Sequence, residues 1–222
     1  MRPPAEIVDA LIAEGAVTVV RTPDAESVQW IASTLRDARL NALEVTMTVP
    51  GATEQIRRLA DTIGPGHLVG VGSVRTPSQA EAAIDAGAAY VVSPVFDPNV
   101  VRVARDRGVP AMPGCLTPSE IHAAVQAGAD VVKVFPAEAV GMGFLKAVLA
   151  PMPELRLMPT GGVTCENAGE WITHGAAMVG VGDSLVPAAA VTARDADALR
   201  GRAEVLLESI RSARAARTAR RA

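Results

Sequence analysis

The stretch PAMPGCLTPSEIHAAVQAGADVVKVFP, residues 110–136, reads as strand, helix and strand in immediate succession. PAMPGC (110–115) is a short apolar run. TPSEIHAAVQAGA (117–129) has the marks of a helix: Thr at the start, Pro in the first turn, an Ala-rich amphipathic body and Gly128 at the end. VVKVFP (131–136) is again β-branched and apolar. Two apolar strands joined by one amphipathic helix predict a parallel βαβ unit, covered on both faces.

The same texture extends in both directions. Strand-like runs occur at VTVVRT (17–22), ALEVTMT (42–48), HLVGVGSV (67–74), YVVSPV (90–95), LRLMPTGG (155–162) and AMVGVGDS (177–184). Ala-rich stretches lie between them, and TPSQAEAAIDAGA (76–88) repeats the opening and ending of 117–129. Gly87, Gly128 and Gly175 are the expected helix stops. Eight strand-like runs alternating with helices fit an α/β fold, a single (β/α)8 TIM barrel with an N-terminal helix at about 4–14. The alternative is a doubly wound open sheet, which would want a Gly-rich turn after the first strand; this chain has none there. No linker or shift in composition divides residues 1–222, so one barrel domain is expected, with 212–222 as a frayed basic tail.

Composition narrows the function. A chain of 222 residues can bury a core without disulfides or metals. With 49% apolar and only 3% aromatic residues, that core is built from Ala, Val, Leu and Ile. Cys115 and Cys165 lie far apart, without the spacing of a zinc site or a disulfide framework, and point to a reducing cytoplasm. Cys115 reads as a small apolar filler. His67, His122 and His174 have no metal-ligand spacing. The first residues are broken by Glu6, Asp9 and Glu14, unlike a signal peptide, and no run approaches a membrane span. Arg211, Arg214, Arg217 and Arg221 form one helical stripe without interleaved aromatics, so neither a nucleic-acid nor a membrane partner is expected.

Chemistry in a barrel sits at the C-terminal strand ends, and there Arg21, Glu44, Thr46, Thr48, Ser73, Ser93, Lys133, Thr160 and Asp183 are polar. Glu44 and Lys133 stand out because apolar residues flank each on both sides. The chain has 21 basic residues, of which only Lys133 and Lys146 are lysines; Lys146, on a predicted helix at 142–150, reads as solvated. Side chains alternate along a strand, so Lys133 shares a face with Val131 and Phe135. An ammonium pressed against the helices without a partner would be costly, whereas one inside the barrel can meet Glu44 or a substrate. Two readings stand: a buried structural ion pair, or a catalytic lysine beside a carboxylate. A lysine with some neutral amine can attack a carbonyl and form a Schiff base, which arginine cannot do. PTGGV (159–163) and GVGDS (180–184) add Gly-rich ends to strands seven and eight, where such barrels bind phosphate; tight turns are the plainer reading.

Taken together, LEVTMTVPGA (43–52), VGVGSV (69–74), VVSP (91–94), MPGCLTPSE (112–120), VKVFPAE (132–138), MPTGGV (158–163) and VGDSLVP (181–187) resemble the 2-keto-3-deoxy-6-phosphogluconate aldolase family, over roughly residues 5–190. Some members of that family also cleave 4-hydroxy-2-oxoglutarate. The resemblance implies a class I aldolase, a homotrimer of (β/α)8 barrels that uses no metal or cofactor and takes a small-molecule substrate. It puts the Schiff-base lysine on Lys133 and the general acid/base on Glu44. It puts the carboxylate-binding hydroxyl on Ser73, a supporting threonine on Thr160, phosphate-binding backbone on Gly161 and Gly162, and pocket walls on Pro94 and Phe135. Arg21 and Thr48 complete the candidate substrate-binding set, and Thr48 stands where some members have Arg. After Gly182 the family usually has a phosphate-binding Ser, but this chain has Asp183 and then Ser184. A carboxylate facing a phosphate dianion is repulsive. Either Ser184 takes over through a shifted loop, or Asp183 turns away, or the preferred substrate carries no phosphate. Two rival readings remain: a non-catalytic metabolite-binding barrel, and another phosphate-binding barrel enzyme that uses Glu44 without a covalent adduct.

Overall fold

The computed structural model describes residues 2–64 and 66–219. Helix α1 (Pro4–Glu14) leads into β1 (Ala16–Val20), α2 (Ser27–Asp37), β2 (Ala42–Thr46), α3 (Ala52–Thr62), β3 (Leu68–Gly72), α4 (Pro77–Asp85), β4 (Val91–Val92) and α5 (Pro98–Asp106). The second half runs β5 (Ala111–Met112), β6 (Gly114–Cys115), α6 (Pro118–Gln126), β7 (Val132–Val134), α7 (Met142–Leu149), β8 (Leu157–Pro159), α8 (Ala168–Thr173), β9 (Val179–Val181), α9 (Ala188–Ala193) and α10 (Ala196–Ala219). The predicted helix signals act as expected. Thr76 and Thr117 cap α4 and α6, Thr117 in a capping box with Glu120, and Gly87, Gly128 and Gly175 all have positive φ.

Every strand pairing is parallel. Six strands run in the order β5-β4-β3-β2-β1-β9 and three in the order β6-β7-β8. Thr160, just after β8, bridges to Gly180 in β9, and Ala177 N–H donates to Leu157 O at 2.9 Å. Neighbours in space are thus neighbours in sequence, with the last strand beside the first. An open doubly wound sheet instead reverses its strand order part-way, so that alternative is not what the chain adopts.

The strands are shorter than the apolar runs that predicted them, and the run 110–115 divides into β5 and β6. Pro113 separates the two because it has no N–H to give the ladder, although its carbonyl still accepts from Lys133 N–H at 2.9 Å.

Side chains alternate between two cores. Outward residues such as Leu43, Val45, Val69, Val71, Val132 and Val134 pack under the helices. Inward residues Val17, Ala42, Leu68, Tyr90, Met112, Val131, Met158 and Met178 form a second cluster, closed by Ile7, Val8 and Leu11 of α1. Helix α1 is therefore a plug at the N-terminal ends of the strands, and the inward positions further along each strand are left for the site.

The expectation of a frayed segment from residue 212 meets a helix that continues through Ala219. Leu199, Ala203, Leu206 and Ile210, at helical spacing, are all buried. Arg214 then donates to Ala13 O at 2.6 Å and to Ile12 O, hooking α10 onto the end of α1. Arg211 pairs with Glu208, and Arg217 is exposed. Arg221 lies outside the described residues.

Helix α10 crosses α8 so closely that a methyl group at Gly169 would fall on the carbonyl of Ser209. Gly169→Ala is expected to lower stability by about 1–3 kcal/mol in urea unfolding. Gly201→Ala, on the exposed face of the same helix with open space around it, should raise stability by about 0.5–1 kcal/mol.

Candidate active site

Register carries Lys133 and Glu44 to the inward face. Glu44 pairs with Val19 on one side and Gly70 on the other. Lys133 pairs with Gly114 and Met158. Both are buried, at 5% and 1% exposure, an unusual state for either charge. Neither oxygen of Glu44 has a hydrogen-bond partner among the described residues. Lys133 makes no ion pair within 4.0 Å with any described carboxylate. The buried-ion-pair reading is therefore not what the structure contains. The Lys133 ammonium instead lies 5.1 Å from the centroid of the Phe135 ring, within reach of its negative π-face.

Room for Glu44 comes from the neighbouring strand. A Cβ at Gly72 would land on the Glu44 carboxylate. Thr160 has the same relation to Gly180, and its buried hydroxyl also lacks a partner among the described residues. The concave face of a curled parallel sheet is normally filled by side chains. Here glycines empty the space that the polar groups occupy.

Around this pair the other candidates take distinct places. Half-buried Pro94 and Ser73 stand at the ends of β4 and β3, with Ser73 at φ 57°. Thr48 is exposed, but its hydroxyl is 2.8 Å from that of Thr46, which donates to Val20 O at 3.1 Å. Arg21 is exposed just past β1. Gly161 and Gly162 have φ of 90° and 72°, which only glycine adopts readily. Asn167 braces this turn by donating to Gly162 O and accepting from Thr164 N–H. No described protein group accepts from the amides of Gly161, Gly162, Asp183 or Ser184. Four free N–H groups beyond the ends of β8 and β9 are suited to an anion. Asp183 is exposed beside them. Ser184 does not lend its hydroxyl oxygen to them, because that oxygen accepts from Cys165 N–H at 3.0 Å. Loop closure from Leu185 and Val186 N–H to Gly182 O keeps this arrangement in place.

Sequence reasoning passed over Gly72, since Gly-Val-Gly looked like ordinary strand texture. The usable signal was parity: Gly70 and Gly72 share the inward face. Burial pushes the Cys115 thiol up to about 12, as fits a packing residue. Among the described residues, no three or more His, Cys, Asp or Glu side chains are grouped to hold a metal ion, and no helix is long and apolar enough to cross a membrane.

A buried amine, a buried unpartnered carboxylate and a ring of anion-ready amides are the parts of a carbonyl-condensing site. Comparison with known proteins agrees. The family model for KDPG and KHG aldolase matches residues 7–201. The chain belongs to this family. It is an aldolase, a carbon–carbon lyase. A 2-dehydro-3-deoxy-phosphogluconate aldolase of Treponema pallidum is 35% identical over 190 residues, covering 85% of this chain and 90% of that one. A 2-dehydro-3-deoxy-6-phosphogalactonate aldolase of Escherichia coli is 34% identical, covering 74% and 80%. The KDPG aldolase of Legionella pneumophila, solved with pyruvate captured as a covalent carbinolamine, superposes with a TM-score of 0.84 at 27% identity, covering 90% of this chain and 97% of that one.

The Gly72–Glu44 contact makes a sharp test. Gly72→Ala should leave the circular-dichroism spectrum intact while lowering kcat/KM for aldol cleavage by about 100-fold or more, because the added methyl displaces the carboxylate.

Proposed function

We propose that this chain is a class I aldolase that cleaves a 2-keto-3-deoxy sugar acid, 2-keto-3-deoxy-6-phosphogluconate foremost, to pyruvate and an aldehyde, here glyceraldehyde 3-phosphate. The observation that carries this reading is the buried Lys133 amine, without a salt bridge among the described residues and facing the same interior as Glu44.

Lys133, as the free amine, attacks the C2 ketone to give a carbinolamine, which loses water to leave an iminium ion. The cationic nitrogen draws electrons from the neighbouring bond. Glu44 takes the proton of the C4 hydroxyl, the C3–C4 bond breaks, C4 leaves as the aldehyde, and the bonding pair becomes the enamine. Glu44 then returns its proton to C3. Water adds to the resulting pyruvyl iminium and releases pyruvate and the free amine. The Phe135 ring and Pro94 wall the pyruvyl half, Ser73 and Thr48 hold the carboxylate, and Thr160 supports the lysine. Arg21 and the amides of Gly161, Gly162 and Asp183 take the distal end. A strand ring closed through Thr160–Gly180 and through Pro113 supports reading the fold as a full (β/α)8 barrel and residues 1–222 as one domain, with a homotrimer as the expected assembly in the cytoplasm.

Exposed Asp183 favours a second reading of the substrate. Its negative charge at the distal end suits 4-hydroxy-2-oxoglutarate or an unphosphorylated 2-keto-3-deoxy acid no worse than a phosphate ester.

Borohydride reduction in the presence of pyruvate should add one pyruvyl unit to Lys133, located by peptide mass spectrometry. No adduct should form with Lys133→Arg, and recovery of parent-level cleavage by that variant would refute the covalent route. A cleavage panel of phosphorylated and unphosphorylated substrates then ranks the distal ends. Asp183→Ser should raise kcat/KM for the phosphorylated substrate relative to the unphosphorylated one by about tenfold, by removing one like charge.

A further inference from the structure

Tyr90, immediately before β4, is the only tyrosine in the chain and is completely buried on the inward face. Its phenolic oxygen has no hydrogen-bond partner among the described residues. A phenylalanine would fill the same apolar floor without stranding a hydroxyl, and a stranded buried polar group calls for an explanation.

Geometry sets this hydroxyl beside Glu44. Val71 pairs with Val91 and Gly70 pairs with Glu44, so Tyr90 and Glu44 flank Gly70 on neighbouring strands. A Cβ at Gly70 would fall on Cδ2, Cε2 and Cζ of the Tyr90 ring. The ring therefore lies across Gly70, and its hydroxyl projects beyond Cζ toward β2, the strand of Glu44. Burial first, and then the negative charges of Glu44 and Glu14, hold the phenol well above its usual range, so it is a fixed donor at any working pH. Among the described residues, Glu44 and Glu14 are the charged groups whose fields reach the Tyr90 phenol. Glu14 of α1 accepts from the amides of Asn41 and Ala42, and Lys133 of β7 faces the same interior.

We infer that Tyr90 is a positioning residue for Glu44: its O–H is donated through one bridging water to the carboxylate, orienting it and favouring its ionised, proton-accepting form. Three otherwise unpartnered polar atoms, the Tyr90 hydroxyl and both Glu44 oxygens, are enough to hold such a water. The inference rests on Glu44 acting as the base proposed above.

The test is the pH profile of kcat/KM for pyruvate release from the best substrate of the panel, for the parent, Tyr90→Phe and Glu44→Gln, with thermal midpoints. A hydrogen bond donated to a carboxylate lowers its pKa, so losing it raises the pKa and the base form disappears at higher pH. Tyr90→Phe should move the acid limb upward by about one pH unit, with KM within about twofold of the parent and no gain in thermal midpoint. A profile superimposable on that of the parent would overturn the inference. So would a midpoint raised by several degrees, which would mean the hydroxyl had no partner to lose. A Tyr90→Phe protein that fails to fold would also overturn it, since one bridging hydrogen bond does not carry a domain's stability. If Glu44→Gln keeps the parent's acid limb, the reading of Glu44 falls and this inference with it; if Glu44→Gln abolishes the limb and Tyr90→Phe leaves it in place, only the inference falls.

Discussion

An amine and a carboxylate have to sit inside the curl of a parallel sheet without pairing with one another. Lys133 and Glu44 are both buried, yet no ion pair joins them, and the carboxylate has no donor among the described residues. A buried charge without a partner is costly, so the surrounding chain is shaped by the need to give these two groups space and later a substrate. The space comes from glycines facing inward beside larger neighbours: Gly72 beside Glu44, Gly70 beside Tyr90 and Gly180 beside Thr160. Each glycine in a strand gives up about 0.5–1 kcal/mol relative to alanine, a cost set against the room for chemistry.

Stability is recovered at the other end of the strands. The inward residues there are Val, Leu, Met and Tyr, and α1 lays Ile7, Val8 and Leu11 across them. The long α10 buries one face and reaches back through Arg214 to the last carbonyls of α1. The plug is thus tied down by the helix furthest from it in sequence. A floor packed in this way lets the opposite ends of the same strands carry polar residues that find partners only in substrate, water or one another.

Much of this was legible in the chain. The βαβ reading of 110–136 extended to the whole strand order, because Pro, Thr and Gly punctuate the helices by local chemistry that needs no tertiary context. Lys133 was legible as an oddity in an arginine-rich chain, and Glu44 by its apolar flanks. The glycine contacts were not legible, since they depend on which residues become neighbours across strands, and register is a property of the folded sheet. Tyr90 passed as core for the same reason: its apolar ring explains its burial, and only the position of Gly70 shows where its hydroxyl goes. The basic C-terminal stretch read as a tail because its arginines look solvated one by one. What anchors it is the carbonyl end of α1, 201 and 202 residues earlier.

The two halves of the proposed pocket rest on different kinds of structure. The reacting half is built from strand residues whose positions are set by register on both sides, as Gly114 and Met158 set Lys133. The distal half is built from a glycine turn and an exposed loop, where the Asp183 side chain has no hydrogen bond or ion pair among the described residues. Strand positions are hard to move without disturbing the sheet, whereas a loop side chain can change sign with little effect on folding. Relatives named for phosphogluconate and phosphogalactonate derivatives match this chain at 35% and 34% identity, nearly the same degree. Overall similarity therefore does not choose between sugar acids. In the proposed site the choice falls to the distal groups, where the exposed Asp183 carboxylate adds a negative charge beside the free amides and so bears on which aldehyde end is accepted.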